Sequence, residues 1–85
     1  SSLKLLSEIA NILDKHSYKI INSDSTIILE NPILKDYINP MKKSIAKHLN
    51  ISNEQISIKA TTNDSLGFIG KEEGLSVIST ILIQR

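Results

Sequence analysis

The sequence contains no cysteine, so neither a disulfide framework nor a thiolate metal site can stabilise this chain of 85 residues. Chains of this length bury a small share of their surface, and those without such cross-links commonly depend on oligomerisation. We therefore expect one small domain, residues 1–85, that associates with other subunits.

The chain also has no marked excess of basic or acidic residues, and it has few aromatic side chains. Ten basic and nine acidic residues give a net charge of +1, and the chain has one phenylalanine, two tyrosines and no tryptophan. Nucleic-acid binding depends on a basic surface, and recognition of single strands depends on aromatic stacking. No apolar run approaches the roughly 20 residues that span a bilayer. The composition is thus that of a globular protein without a nucleic acid or a membrane as its expected partner.

Two amphipathic helices are predicted. Ser1 and Ser2 can cap a helix that begins near Leu3 and ends around residues 16–17. Its apolar face repeats at three- and four-residue spacing and consists of Leu6, Ile9, Ala10 and Leu13. In the second helix we expect Asn39 at the N-cap, Pro40 at the first helical position and Asn50 at the end.

Three strands complete the pattern. Residues 18–29 are rich in β-branched side chains, residues 56–60 alternate in polarity, and residues 75–83 are apolar on both faces apart from two serines and a threonine. A strand that is apolar on both faces is expected to be buried on both. The order helix, strand, helix, strand, strand predicts an α+β fold, a two-layer sandwich with helices packed on one face of a small mixed β-sheet.

The most suggestive stretch for chemistry is residues 59–71, KATTNDSLGFIGK. It places two threonine hydroxyls, a carboxylate, two glycines and a lysine directly after a predicted strand. Hydroxyls and backbone N–H groups at such a junction suit phosphate oxygens, and a carboxylate beside them can bind Mg²⁺. Polar loops are common, however, and His16 and His48 lack ligands at metal-site spacing, so we expect them to be ordinary surface histidines.

This stretch resembles the signature of the 2-C-methyl-D-erythritol 2,4-cyclodiphosphate synthase family, in which K-A-T-T is followed by an acidic residue and then by L-G-F-x-G. The same family has a strand of the form G-Y-x-x-x-N-x-D-x-T-I-I. The further matching residues are Tyr18, Asn22, Asp24, Thr26, Ile27, Ile28, Pro32, Ile38, Met41, Glu73 and Gly74.

The resemblance implies a phosphorus–oxygen lyase of the non-mevalonate isoprenoid pathway. Such an enzyme converts 4-diphosphocytidyl-2-C-methyl-D-erythritol 2-phosphate to 2-C-methyl-D-erythritol 2,4-cyclodiphosphate and releases CMP. The resemblance also implies a homotrimer whose sheets face the trimer axis, with active sites between subunits. The implied location is a plastid (apicoplast) or the bacterial cytoplasm.

The resemblance also implies that residues 1–85 are the C-terminal part of a single domain, and that its N-terminal metal-binding part is absent. The family uses Zn²⁺, whose ligands would lie outside this segment, and Mg²⁺ or Mn²⁺. A fragment without the zinc ligands is expected to be inactive alone.

Specific site residues follow from the resemblance. Thr62 is the implied catalytic residue that stabilises the transition state, Thr61 contacts the diphosphate with it, and Asp64 takes the Mg²⁺-ligand position. Phe68 and Lys71 are implied to lie near the phosphates and the trimer axis. The remaining implied substrate-binding residues are Leu29, Glu30, Asn31, Pro32, Ile33, Leu34 and Lys35 around the cytidine, Ala60 beside them, and Asn63.

Three positions depart from the family pattern, which usually has Glu at Asp64, Arg at Lys71 and often Lys at Ile33. Lysine cannot form the bidentate contact that arginine makes with phosphate. The alternative to an enzyme is a non-catalytic α+β module for oligomerisation or for nucleotide or RNA binding. A preference for CDP over UDP would distinguish the two, because a generic module has no reason to read the base.

Overall fold

The computed structural model describes residues 1–31, 33–62, 67–71 and 74–85. Two long helices alternate with three strands, and two single 3₁₀ turns and one short helix lie in the connections. In chain order the elements are α1 (Ser2–Lys15), β1 (Lys19–Ile28), a 3₁₀ turn (Lys35–Tyr37), α2 (Ile38–Leu49), a second 3₁₀ turn (Asn53–Gln55), β2 (Ile56–Thr61), α3 (Gly67–Gly70) and β3 (Ser76–Gln84).

The three strands form one mixed sheet in the order β2-β1-β3. β1 pairs with β2 in parallel, with Ser23 opposite Ile56, and pairs with β3 antiparallel, with Ser25 opposite Ser79. The β1–β2 pair is parallel because the connection between these strands contains α2, which carries the chain back to the edge where β1 began. The predicted α+β fold is confirmed.

The helices form a second layer on one face of this sheet. α2 packs on β2, and α1 packs on α2. The buried hydrophobic residues of the described chain are Ala46, Leu49, Ile56 and Ile69, and they are joined by the polar Ser23. The core therefore lies between α2 and the β1–β2 half of the sheet, and it is small.

Capping interactions fix the ends of several elements, and those at Ser1 and Asn50 are the ones that the sequence predicts. The Ser1 hydroxyl accepts the Lys4 N–H, and Asn50 ends α2 in the left-handed conformation with φ of 57°. Ser52 and Gln55 form a capping box at the second 3₁₀ turn. The Gln55 amide nitrogen also donates to the carbonyls of Ile20 and Ile21, at 3.1 Å each, where β1 is bulged.

The predicted start of α2 is wrong. The helix begins at Ile38 with Tyr37 at the N-cap, not at Asn39, because the 3₁₀ turn leads directly into it. Pro40 is consequently the third residue of the helix. This position is allowed because the first four N–H groups of a helix have no partner within it, and proline lacks only an N–H.

The environment of β3 also differs from the expectation of burial on both sides. Within a single chain every residue from Val77 to Gln84 is exposed. The sequence around Gly67 and Gly70 is typical of a loop, because two glycines lie three residues apart, but these residues form the single turn α3. Gly67 has a positive φ of 63° there, which glycine adopts without steric cost.

Candidate functional site

Most of the predicted site residues that the structure describes lie at the edge of the sheet where the parallel strands β1 and β2 end. α2 runs antiparallel to both strands, so its N-terminus lies at this same edge. Ligands of sheets with parallel strands characteristically bind outside the carboxyl ends of those strands. The Leu29 N–H donates to the Thr61 carbonyl over 3.0 Å, so strand pairing continues to the last residue of β2 and holds the segment after β1 beside it.

A pocket of about 260 Å³ opens at this edge. The Tyr37 N–H donates to the Leu34 carbonyl over 2.9 Å and closes the 3₁₀ turn that forms one of its walls. The residues that line the pocket are Leu29, Glu30, Ile33, Leu34, Lys35, Ile38, Ala60, Thr61 and Thr62.

All of these lining residues except Ile38 were predicted as substrate-binding residues from the sequence. Ile38 was missed as a site residue, although an apolar side chain just before the Asn39-Pro40 pair is the available signal. Asn31 is described but does not line the pocket, and Lys71 is exposed after α3, with its N–H donating to the Gly67 carbonyl.

Four of the predicted residues cannot be placed in the pocket or outside it. Pro32, Asn63 and Asp64 lie outside the described residues. Phe68 lies in α3, and its side chain is likewise outside the described part of the chain.

The lining combines an apolar wall with polar groups at one side. Leu29, Leu34 and Ile38 supply hydrocarbon surface that suits a flat ring, whereas Thr61 and Thr62 supply hydroxyls. The Thr61 hydroxyl lies 3.5 Å from the Thr62 carbonyl, which is long for a hydrogen bond, so it can reorient toward a ligand at little cost. The α2 N-terminus, with its partial positive charge, and the Lys35 ammonium favour a ligand that carries negative charge, whereas the Glu30 carboxylate in the same lining opposes it.

The pocket is smaller than the roughly 300–1,000 Å³ of most small-molecule sites. Its 260 Å³ accommodates a nucleobase and an adjoining group but not a complete nucleotide-linked substrate. A larger ligand would therefore extend out of this pocket.

The described residues do not fit a zinc ion at this edge. Among residues 1–31, 33–62, 67–71 and 74–85, no group of three His, Asp, Glu or Cys side chains is placed to hold a metal. The histidines lie in the last turns of α1 and α2 or just after them, at the opposite edge of the sheet. There the His16 and His48 Nδ1 atoms bond the carbonyls of Ile12 and Ser44. Asp64, the predicted Mg²⁺ ligand, is outside the described residues.

A second cavity, of about 610 Å³, lies at that opposite edge between the carboxyl-terminal halves of α1 and α2. Its lining includes Asp14, Lys19, Lys47, His48 and Gln55, and none of the predicted site residues. Of the described helices, none combines the length and apolarity that a membrane crossing demands.

Comparison with known proteins gives a family match over nearly the whole chain. The model of the YgbB family matches residues 1–84. A relative from Clostridium tetani (strain Massachusetts / E88), described as 2-C-methyl-D-erythritol 2,4-cyclodiphosphate synthase, is 51% identical over 85 residues. The match covers 100% of this chain and 54% of that protein, so the chain spans about half the length of its curated relatives.

Solved structures show the same fold. One is a crystal structure of 2C-methyl-D-erythritol 2,4-cyclodiphosphate synthase from Plasmodium vivax. The match covers 100% of this chain and 57% of the Plasmodium vivax chain, with a TM-score of 0.97 and 29% sequence identity. A Plasmodium falciparum structure described as an IspF CDP complex matches 98% of this chain and 53% of its own, with a TM-score of 0.93 and 30% identity.

Proposed function

Because this chain belongs to the YgbB family, we propose that it forms the nucleotide-binding part of a 2-C-methyl-D-erythritol 2,4-cyclodiphosphate synthase. The observation that carries the proposal is the pocket at the ends of β1 and β2, since residues of the family signature line it. The similar Plasmodium falciparum structure is a complex with CDP, and this supports cytidine diphosphate as the recognised group. Residues 1–85 would be the C-terminal part of one domain.

The proposed reaction closes a ring within a single substrate, 4-diphosphocytidyl-2-C-methyl-D-erythritol 2-phosphate. An oxygen of the 2-phosphate attacks the β-phosphorus, the bond from that phosphorus to the bridging oxygen breaks, and CMP leaves with the bridging oxygen and its electron pair. The substrate supplies its own nucleophile. The protein therefore contributes orientation and stabilisation of charge on the transferring phosphoryl group.

Within this scheme the apolar wall and the backbone of residues 29–35, with Ala60 beside them, hold the cytosine. Thr61 and Thr62 donate hydrogen bonds to the diphosphate, and Thr62 stabilises the charge that develops at the β-phosphate. Asp64 is the proposed ligand of Mg²⁺ or Mn²⁺, and Lys71 and Phe68 are proposed to lie near the phosphates. Asn31, Pro32 and Asn63 remain proposed substrate contacts.

The remainder of the site must come from outside these residues. Zn²⁺ is proposed to be held by ligands outside this segment, and no step of the reaction is assigned to this chain through zinc. A homotrimer with active sites between subunits is supported by the small pocket and by the exposed outer face of β3, where Ile78 and Leu82 are 61% and 53% exposed. This is the face that we propose lies toward the trimer axis.

The proposed location is the bacterial cytoplasm. The 51% identity to the clostridial relative exceeds the 29% identity to the Plasmodium vivax protein, and this supports a bacterial source over a plastid.

The activity is tested by reconstitution. The chain is co-expressed with the part of the Clostridium tetani synthase that its match does not cover, and CMP release is measured with Zn²⁺ and Mg²⁺ present. We expect turnover from the pair, little from either piece, and a loss of about 10²–10³-fold in kcat when Thr62→Ala removes the donor. Thr62→Ser keeps the hydroxyl and is expected to retain most of the rate. A correctly assembled pair that releases no CMP would contradict the proposal.

A further inference from the structure

The cavity of about 610 Å³ at the opposite edge of the sheet is assigned no part in the proposed reaction. Its walls come from α1, the start of β1, the last turn of α2 and the second 3₁₀ turn. The volume falls within the roughly 300–1,000 Å³ that is usual for small-molecule sites. This cavity, which we call the second cavity, is therefore large enough for a ligand of its own.

The walls of the second cavity are rich in hydrogen-bonding groups. Ser7 contributes a hydroxyl, and Asn11 and Asn50 contribute amides. Hydroxyls and amides can each donate and accept hydrogen bonds. Most small-molecule sites have a mainly apolar lining, so this lining suits a ligand that carries several hydroxyl groups.

Three charged residues from three different elements, Asp14, Lys19 and Lys47, also line the second cavity. Within the described residues none of the three forms an ion pair. Two lysines and one aspartate give the lining a net charge of +1. Arg85 adds positive charge at the same edge, because its guanidinium carbon lies 5.0 Å from the centre of the ring of Tyr18, another lining residue. The excess of positive charge favours an anionic group.

The carboxyl ends of α1 and α2 bring partial negative charge to the same edge, and this opposes an anion. N–H groups that follow the helices occupy part of these carbonyl ends. The Tyr18 N–H donates to the Leu13 carbonyl over 2.9 Å, and the Ile51 N–H donates to the Ala46 carbonyl over 3.0 Å. A lysine ammonium carries a full charge on a flexible stem, so it can hold an anion away from the helix ends.

His48 indicates what else the ligand carries. Its Nδ1 lies 2.7 Å from the Ser44 carbonyl, and a carbonyl only accepts, so Nδ1 is the nitrogen with the hydrogen. In the neutral ring Nε2 is then an acceptor. The Asp14 carboxylate is a second acceptor in the same lining. Acceptors suit the hydroxyl groups of a ligand and do not suit its anionic group.

We propose that the second cavity binds a small phosphorylated sugar or polyol. A phosphate monoester carries about two negative charges near neutral pH, which matches the two lysines. Lys19 and Lys47 hold the phosphate, and Asp14 and His48 accept hydrogen bonds from the hydroxyl groups. The second cavity is separate from the candidate pocket at the ends of β1 and β2, and its ligand is independent of the proposed reaction.

Amide chemical shifts of the ¹⁵N-labelled chain test the proposal and locate the binding. The probe is D-ribose 5-phosphate at low ionic strength, where exposed charges are least screened. D-ribose lacks the charge, and inorganic phosphate lacks the hydroxyl groups. We expect saturable shifts at Asp14, Lys19 and Lys47 and none at Thr61. Ribose should cause no shifts, and phosphate should bind about fivefold more weakly or worse, because one set of contacts is missing in each.

Substitution of one lysine separates a site from a general charge effect. Lys47→Gln removes a charge from the lining and is expected to weaken ribose 5-phosphate binding about tenfold. Lys43→Gln is the matched control, because Lys43 is exposed on the same helix and does not line the second cavity. It should change the affinity less than twofold. Lys19→Gln repeats the test on β1, and circular dichroism shows that each variant is folded.

Four results would overturn the proposal. They are the absence of saturable shifts, shifts at Thr61 without shifts at the second cavity, equal losses in Lys47→Gln and Lys43→Gln, and equal affinities for ribose 5-phosphate and inorganic phosphate. The last two would reduce the second cavity to a basic surface without selectivity. None of these measurements involves CDP or CMP, so failure here leaves the proposed function to be judged by CMP release.

Discussion

Ala60 is a small residue on the helix-side face of β2, where it lines the candidate pocket. Ala60→Leu adds bulk to a space of about 260 Å³ that we propose holds cytosine. We predict that it weakens CDP binding at least tenfold in calorimetric titration. Ser57→Leu makes a comparable addition to the opposite face of the same strand and should leave the affinity within twofold. Equal losses in both variants would mean that Ala60 acts through strand stability instead of the pocket.

Gln55 joins two parts of the chain through one side chain. Its oxygen accepts the Ser52 N–H over 2.9 Å, and its nitrogen donates to the Ile20 and Ile21 carbonyls. Gln55→Glu keeps the acceptor but replaces the donors with a carboxylate that faces two carbonyls. We predict a loss of about 1–3 kcal/mol in the free energy of unfolding by urea.

The matched control is Ser52→Ala, which removes the hydroxyl that accepts the Glu54 N–H over 3.3 Å and belongs to the capping box, and leaves the Gln55 side chain in place. It should cost about 0.5–1 kcal/mol. If Gln55→Glu costs no more than Ser52→Ala, the contact with the β1 bulge contributes nothing to stability.

At the scale of the element, each of the two long helices is followed by a residue in the left-handed backbone conformation, and the two residue types differ in how well they tolerate it. Asn50 follows α2 with φ of 57°, and Ser17 follows α1 with φ of 64°. Asparagine tolerates this conformation better than serine does, and glycine adopts it without steric cost. We predict that Ser17→Gly raises the free energy of unfolding by about 1 kcal/mol, while Asn50→Gly changes it by less than about 0.5 kcal/mol. A Ser17→Ala variant as stable as Ser17→Gly would contradict the conformational explanation.

The elements themselves were largely predictable, since each of the five long ones follows local periodicity and local caps. The start of α2 was not, because Asn39-Pro40 is a strong cap signal only when the preceding residues are extended. Here residues 35–37 form a 3₁₀ turn that continues into the helix. Local sequence carries little information on such a turn, which depends on how the chain leaves β1.

The part of the candidate site that local sequence carries was predictable, and the part that depends on the topology was not. The residues of the signature are contiguous in sequence, so the resemblance identifies them directly. Ile38 enters the pocket only because the crossover brings the α2 N-terminus beside the end of β2. That proximity is a property of the topology and not of any local pattern.

The whole molecule is extended for its length. Its radius of gyration is 14.6 Å, whereas a compact domain of this size is expected near 12 Å. With four buried hydrophobic residues among those described, the chain has little internal core. We infer that its stability depends on surfaces which are buried on assembly. The exposure of β3 was not predictable for this reason: its apolar sequence indicates burial, and the single chain does not provide it.

The proposed trimer contact can be tested at this scale. Ile78→Lys introduces a charge on the outer face of β3, and we predict that it lowers the mass measured by light scattering to that of a monomer. Leu5→Lys introduces the same charge on α1, where we expect no contact between trimer subunits, and should leave the mass unchanged. A trimer that persists in Ile78→Lys would assign assembly to a different face.

The central claim is that these 85 residues carry the cytidine-reading part of the site. It is tested most directly by calorimetric titration of CDP with Mg²⁺ into the purified chain, with UDP as the control and the mass followed by light scattering. The account predicts saturable CDP binding that exceeds UDP binding at least tenfold and is lost in Ala60→Leu. Equal binding of CDP and UDP by a folded chain would contradict it and would favour a generic nucleotide-binding module.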